Sequence, residues 1–375
     1  MRQFAASSLA LCILAGSTLT ACGGGGGGGG SSGPPPSRPD VFYVRASGDD
    51  ANDGSKDAPF RTIPKAVGLI SDGDTIIVGP GTYTDFVDIN KKKGLVNSQI
   101  VIVGDPTGGM TGDAPGAVEI QVTDKEVAAI RLSQSTYVII DGFTFTGARG
   151  TNAAGVIIRS ASNNVTIRNC EITGNIDGIR VQDSDDLLLF NNLIDGNTRY
   201  GTKIGATSTG PGSQRARLIN NTIANNGFTG IAIGDDNAAS KDAFLTNNIV
   251  QGNEPRNIDV AGNAPSSVDG YSADFNLVFS AAASGNPACT SDAALSRCGY
   301  GPFTPRGTND VNDDALFSDS TNGDFHLQEN SPAIDAGTSD FPDADTLSSM
   351  LTDRTVTGRG TDKSPLDLGY HFPGQ

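Results

Sequence analysis

The sequence predicts an all-β fold of the right-handed parallel β-helix class, a single-stranded solenoid with a short N-terminal capping helix. Three observations predict it. A short apolar strand running into an Asn-rich corner recurs six times between residues 137 and 280. Val, Ile and Thr dominate those strands, and Gly, Asn and Asp punctuate them, which is the composition of pleated chain and its turns. Each unit is too short for a domain, so it must bury its apolar face against the next one.

In chain order, residues 1–21 read as a signal peptide. Arg2 supplies a minimal positive start, and the small, apolar stretch of residues 4–20 is too short and too weakly hydrophobic for a membrane span. It ends in Leu19-Thr20-Ala21-Cys22, which resembles the lipobox of bacterial lipoproteins; the resemblance implies that Cys22 is lipidated. Residues 22–40 read as a tether, flexible through Gly23–Gly30 and stiffened by Pro34-Pro35-Pro36. Gly23 after the cysteine, instead of Asp, resembles outer-membrane sorting. The expectation is an exported lipoprotein at the outer membrane or cell surface, touching the membrane through its lipid alone.

The chain carries 26 Lys+Arg against 42 Asp+Glu, a net charge of −16. Such a polyanion lacks the basic stripe that nucleic-acid binding needs, and it is expected to be a monomer. It also repels an acidic polysaccharide unless cations bridge the two, so Ca²⁺ is the expected cofactor for any acidic substrate. Cys12 leaves with the signal peptide. Cys289 and Cys298 sit nine apart in a loop-like segment and are expected to form a disulfide in an oxidising compartment.

The repeats define residues 41–280. They read YVIIDGFTFTG from Tyr137, VTIRNCEITGN from Val165, LLLFNNLIDGN from Leu187, ARLINNTIANN from Ala216, AFLTNNIVQGN from Ala243 and YSADFNLVFS from Tyr271. The second corner position is Gly142, Cys170, Asn192, Asn221, Asn248 and Asn276, at spacings of 28, 22, 29, 27 and 28. One coil per unit, stacked about 4.8 Å apart, gives roughly nine or ten coils. The corner Asn side chains then form a ladder. Cys170 takes a rung of that ladder, so a buried structural thiol is expected there. A second strand precedes each ladder strand, and alternation leaves Arg131, Arg180, Lys203, Ala232 and Asp259 on its outer face. A variable loop follows, longest at residues 205–214, so any function is expected on this face.

Both ends of such a stack need covers. Residues 62–70 read as a short amphipathic helix with a Thr62 cap and Pro64 in its first turn. Residues 281–375 read as a C-terminal capping module. Phe42-Tyr43-Val44, Asn52-Asp53-Gly54, Pro59-Phe60-Arg61-Thr62-Ile63, Gly73-Asp74-Thr75-Ile76 and Pro80-Gly81-Thr82-Tyr83 together resemble the opening of bacterial β-helix proteins of the pectate-lyase superfamily, nearest to family 9 pectate lyases. Asn322-Gly323-Asp324-Phe325-His326-Leu327, Ser331-Pro332-Ala333-Ile334-Asp335-Ala336-Gly337 and Asp367-Leu368-Gly369-Tyr370 resemble a choice-of-anchor module.

That resemblance implies a Ca²⁺-dependent polysaccharide lyase working by β-elimination. Ca²⁺ would neutralise a uronate carboxylate, and a basic side chain would take the neighbouring proton. Lys203 is the candidate base, Arg180 the candidate partner of a substrate carboxylate, and Asp183, Asp185 and Asp186 the candidate calcium ligands. The same three aspartates also read as an ordinary polar turn between strands. The family's clustered calcium motif is not reproduced: Asn175-Ile176-Asp177-Gly178 has one acid where the cluster would stand. With two histidines, His326 and His371, both outside the repeats, neither a zinc site nor a Ser-His-Asp triad is indicated. Two functional readings stay open: an enzyme acting on acidic polysaccharide, and a non-catalytic surface protein that binds glycan or acts as a structural spacer.

Overall fold

The computed structural model describes residues 40–372, except 124–126, 208–209, 235–239, 261–268, 281–297, 344–346, 348–350, 352–354, 356–361 and 363–364. The signal peptide, Cys22, residues 23–39 of the tether and Cys289 lie outside the described residues.

Twenty-four strands form three parallel sheets; apart from the first strand, Val41–Val44, which pairs with the second, Thr75–Val78, every third strand in chain order is a neighbour. The first face holds nine strands, from Val41–Val44 to Ser272–Asp274. The second holds eight, from Gly81–Tyr83 to Leu277–Phe279. The third holds seven, from Val87–Asn90 to Ile258–Val260. Three-sided turns therefore number seven, fewer than the roughly nine or ten coils expected; the first face alone reaches nine strands, because the ends are closed by other devices. Inside, Ile140, Ile167, Leu189, Leu218 and Leu245 stack in register and are fully buried. Each such side chain contributes roughly 2 kcal/mol over its exposed state.

The corners are held by buried hydrogen-bonded stacks. Between the first and second faces, Asn192 Nδ2 donates to Asn221 Oδ1 at 2.9 Å, Asn221 to Asn248 at 3.0 Å and Asn248 to Asn276 at 2.9 Å. Each Oδ1 also accepts the backbone N–H of the preceding rung. Cys170 joins through its N–H to Asn192 Oδ1, and burial pushes its thiol up to about 12, so it is inert packing. A second Asn ladder runs between the second and third faces through Asn175, Asn197, Asn226, Asn253 and Asn257. At the third corner each Ser Oγ accepts the backbone N–H of the previous rung, through Ser135, Ser162, Ser184, Ser213 and Ser240.

The N-terminal end is closed by the helix Ile63–Leu69, with Ile63, Ala66 and Val67 buried and Thr62 capping Lys65 N–H. At the other end, Asp310 terminates the first ladder, accepting from Asn276 N–H and from Tyr300 Oη at 2.8 Å. Cys298 is buried and disulfide-bonded. Where the sequence reads as one capping module over 281–375, the described residues divide. Residues 298–311 cover the end, and residues 312–372 return along the outside as a strap.

The strap exists because the outer surfaces of two faces are apolar. Leu193, Ile249 and Leu277 on the second face pack on Phe317, Phe325, Leu368 and Tyr370. Leu188, Phe190 and Ile219 on the first pack on Phe341, Leu347, Leu351 and Leu366. A column of outward asparagines at left-handed backbone positions, Asn191 (φ 52°), Asn220 (φ 53°) and Asn247 (φ 57°), pins it. Their Nδ2 groups donate to the carbonyls of His371, Asp367 and Thr338.

Replacing Asn221 by Ala strands Asn192 N–H and the carbonyls of Leu189 and Ile219. Denaturant unfolding is expected to report a loss of about 3 kcal/mol. On the second face, burial and then the neighbouring Glu171 raise Asp195 to about 6. The folded state therefore binds more protons than the unfolded chain between about pH 4 and 6, and stability falls as pH rises through that window, by roughly 2 kcal/mol. Asp195→Asn should flatten that slope in unfolding curves taken from pH 4 to 7.

Candidate functional site

With two faces covered, the third presents the open surface. Its outward row runs Asp88, Arg131, Ile157, Arg180, Lys203, Ala232, Asp259 in strict register, which places the five outward residues anticipated above on one line. A parallel row holds Arg159, Gln182 and Gly205. Small residues let the row form: a Cβ on Gly178 would stand 2.4 Å from the Gly201 carbonyl oxygen and 2.6 Å from Ile194. Ala128, Ala154 and Ile157 make an apolar floor beside Phe86.

At the Ile157 end of this floor lies a groove of about 610 Å³, its apolar part made by Val127, Ile157 and Ala206 and its charged part by Arg131, Arg159, Arg180, Arg199 and Lys203, with Tyr200 beside them. Its volume is in the range of ligand sites. Among the described residues, two carboxylates partner three of these five cations. Arg131 makes a two-pronged pair with Asp88 at 2.7 and 3.0 Å and lies over the Phe86 ring. Asp177, fully buried, accepts from Arg180 Nε and from Arg199 Nε at 3.0 Å and Nη2 at 3.1 Å. An excess of three positive charges remains in a protein whose net charge is −16. Net charge averaged over the chain hides this local reversal.

The cations differ in availability. Arg180 Nη1 and Nη2 donate to the carbonyls of Asn152 and Ala153, so its whole fork is engaged within the protein. Among the described residues Arg159 has one hydrogen-bond partner, Ser133 Oγ at 3.2 Å through Nε, which leaves its terminal nitrogens unclaimed there, and it lines the groove. Lys203 has no hydrogen bond or ion pair among the described residues and lies 5.3 Å from the Tyr200 ring centre. Tyr200 stands edge-on to Phe228 at 5.1 Å. Arg159 is the residue the sequence reading passed over, although it lies two positions beyond Ile157 on the same outward alternation.

Asp183, Asp185 and Asp186 do not line the groove. Asp183 Oδ2 accepts from Thr207 N–H and Oγ1, and Oδ1 from Gly212 N–H, so it fastens the long loop. Asp185 Oδ1 takes Gln214 N–H, and Asp186 pairs with Arg215 at 2.7 and 2.9 Å, which holds its carboxyl below the usual range. Oxygens already occupied by N–H donors and a guanidinium do not fit a Ca²⁺ ion, which needs six to eight free oxygen ligands. Among the described residues, carboxylates at metal-binding separation are Asp335, Asp362 and Asp367, in the strap; Asp367 accepts from Thr355 Oγ1 and Asp335 N–H, and Asp362 accepts from Asp367 N–H and pairs with His371 Nε2.

Comparison with known proteins fixes the architecture. Residues 117–273 match the family model for the "Right handed beta helix region". The solved structure of pectate lyase Pel9A superposes with a TM-score of 0.50 at 15% identity, over 88% of this chain and 95% of that one. The fold is a right-handed β-helix, pectate-lyase-like in form. The GH136 lacto-N-biosidase from Eubacterium ramulus is similar over 63% of this chain and 55% of its own, with a TM-score of 0.49 and 16% identity. Uncharacterized protein YwoF of Bacillus subtilis (strain 168) is 26% identical over 148 residues, 36% of this chain; the match spans 29% of that relative's length.

Asp177→Asn removes the charge that neutralises two guanidinium groups. Unfolding is expected to show a loss of about 3 kcal/mol, mostly from the less exposed Arg180. Hydrogen exchange should also quicken across residues 148–154, which Arg180 ties down.

Proposed function

We propose that the protein acts on an acidic polysaccharide laid along the third face, by β-elimination with Lys203 as base. The observation that carries this reading is the surplus of positive charge gathered over an apolar floor in an otherwise acidic molecule. Guanidinium groups match carboxylates, and an apolar floor with a flanking Tyr200 suits the flat faces of sugar rings. Arg159, with its terminal nitrogens open to the groove, neutralises the uronate carboxylate and acidifies the carbon beside it. Lys203 Nζ, after giving its own proton to solvent, takes that proton and becomes an ammonium again. The C–H electron pair becomes a double bond as the bond to the glycosidic oxygen breaks, and the departing oxygen takes a proton from solvent. Arg180 positions: through Asp177 and the carbonyls of Asn152 and Ala153, it fixes the wall against which Lys203 stands.

The same proposal includes export, with Cys22 as the lipid anchor and residues 22–40 as a tether that carries the groove clear of the membrane. A non-catalytic glycan-binding protein is the second reading. It is favoured by the engagement of Asp183, Asp185 and Asp186 in protein contacts, which leaves the groove without its expected metal.

One assay separates the two. Incubated with acidic polysaccharides, the protein is expected to generate ultraviolet absorbance from unsaturated sugar ends, and Lys203→Ala is expected to lower that rate at least a hundredfold, well beyond the weakening of glycan binding that loss of its charge brings. Binding without any absorbance selects the second reading.

A further inference from the structure

We infer that the groove selects an acidic polysaccharide whose charges fall on alternate sugars and holds it by direct ion pairs, without bridging calcium. This rests on the reading that the third face binds acidic polysaccharide, and it narrows the class.

The inference follows from the order of charges along the stack. On the turn bearing Arg131, the guanidinium is matched by Asp88 of the turn before. The next turn carries Arg159, with no acid partner among the described residues. The turn after that carries Arg180 together with its own counter-ion, buried Asp177, and the neutral amide of Gln182 follows in the Arg159 row. The next turn carries Lys203, without an acid partner among the described residues, and Arg199, which leans back on Asp177 but leaves an excess charge on its own turn. Beyond it, Ala232 is neutral. Taken over the two adjacent rows, with Arg159 in one and Lys203 in the other, the pattern from turn to turn is therefore matched, free, matched, free, neutral.

Parallel strands repeat about every 4.8 Å, close to the rise of one sugar in an extended polysaccharide, so one sugar meets one turn. Free cations two turns apart, about 10 Å, then coincide with every second sugar. A homopolymer of uronates would set each alternate carboxylate against an arginine already satisfied by an aspartate, where desolvation is not repaid. A polymer that alternates uronate with a neutral sugar places its neutral unit there, against Gln182 and the apolar floor. Calcium has no role in this scheme, because the charge it would supply is already present as Arg159 and Lys203, and the expected ligands are spent elsewhere.

The test is binding of the full-length protein, by calorimetry in EDTA, to size-matched oligosaccharides of two kinds. Hyaluronan and unsulfated chondroitin fragments carry carboxylates on alternate sugars; oligogalacturonate and oligoalginate carry one on every sugar. The alternating fragments are expected to bind at least tenfold tighter. Arg159→Gln should lose at least tenfold for them, with its melting temperature unchanged, and binding should weaken steeply with added salt. Equal or tighter binding of the homopolyuronates, or binding that appears only when calcium replaces EDTA, overturns this inference while leaving the acidic-polysaccharide reading standing. No binding of any fragment, with or without calcium, overturns both.

Discussion

Everything in this molecule hangs on the buried side-chain stacks at the three corners. A coil of three short strands has no helix propensity and little local structure to hold it, and each bend brings backbone N–H groups into the interior. The Asn and Ser side chains accept those N–H groups, and the Asn amides also donate to strand carbonyls and to the next rung, so every corner is satisfied by its neighbour. Because the partners lie one turn away, the stacks also set the register between turns. That register is what aligns the outward row of the third face.

The strap then decides which surface is left for work. Leucines and a phenylalanine on the outer sides of the first and second faces would be a liability in water, and residues 312–372 cover them. The third face needs no such cover, since its outward positions are cations over alanines and one isoleucine. Exposure and charge thus coincide on one side. The two internal carboxylates, Asp88 and Asp177, do not merely dilute the positive charge there. They sort the cations into those that build the wall and those left open to a ligand.

Much of the fold was legible in the sequence, because a solenoid writes its contacts at a fixed period. The Asn column at 192, 221, 248 and 276, the outward set Arg131, Arg180 and Lys203, and the helix after Thr62 all follow from spacing and alternation. Two more stacks were equally visible and went unread. Asn175, Asn197, Asn226 and Asn253 trail the first column by five residues, and Ser162, Ser184, Ser213 and Ser240 lead it by eight. The site was less legible. Net charge pointed to a metal bridge, but charge that is segregated by fold does not average. The three aspartates near Arg180 looked like ligands because a sequence shows carboxylates without showing which amides will claim them. The strap was opaque for a similar reason: its partners lie 91 to 180 residues upstream, far outside any repeat.

Those distances have a consequence for how the molecule is made. His371 closes on Asn191 and Asp367 on Asn220, so residues synthesised long after a coil is complete are the ones that shield it. Until they arrive, the half-built column presents bare leucine ridges along two sides. A chain interrupted before residue 312 would be born sticky, and the cell's holding factors would have to guard it through that interval.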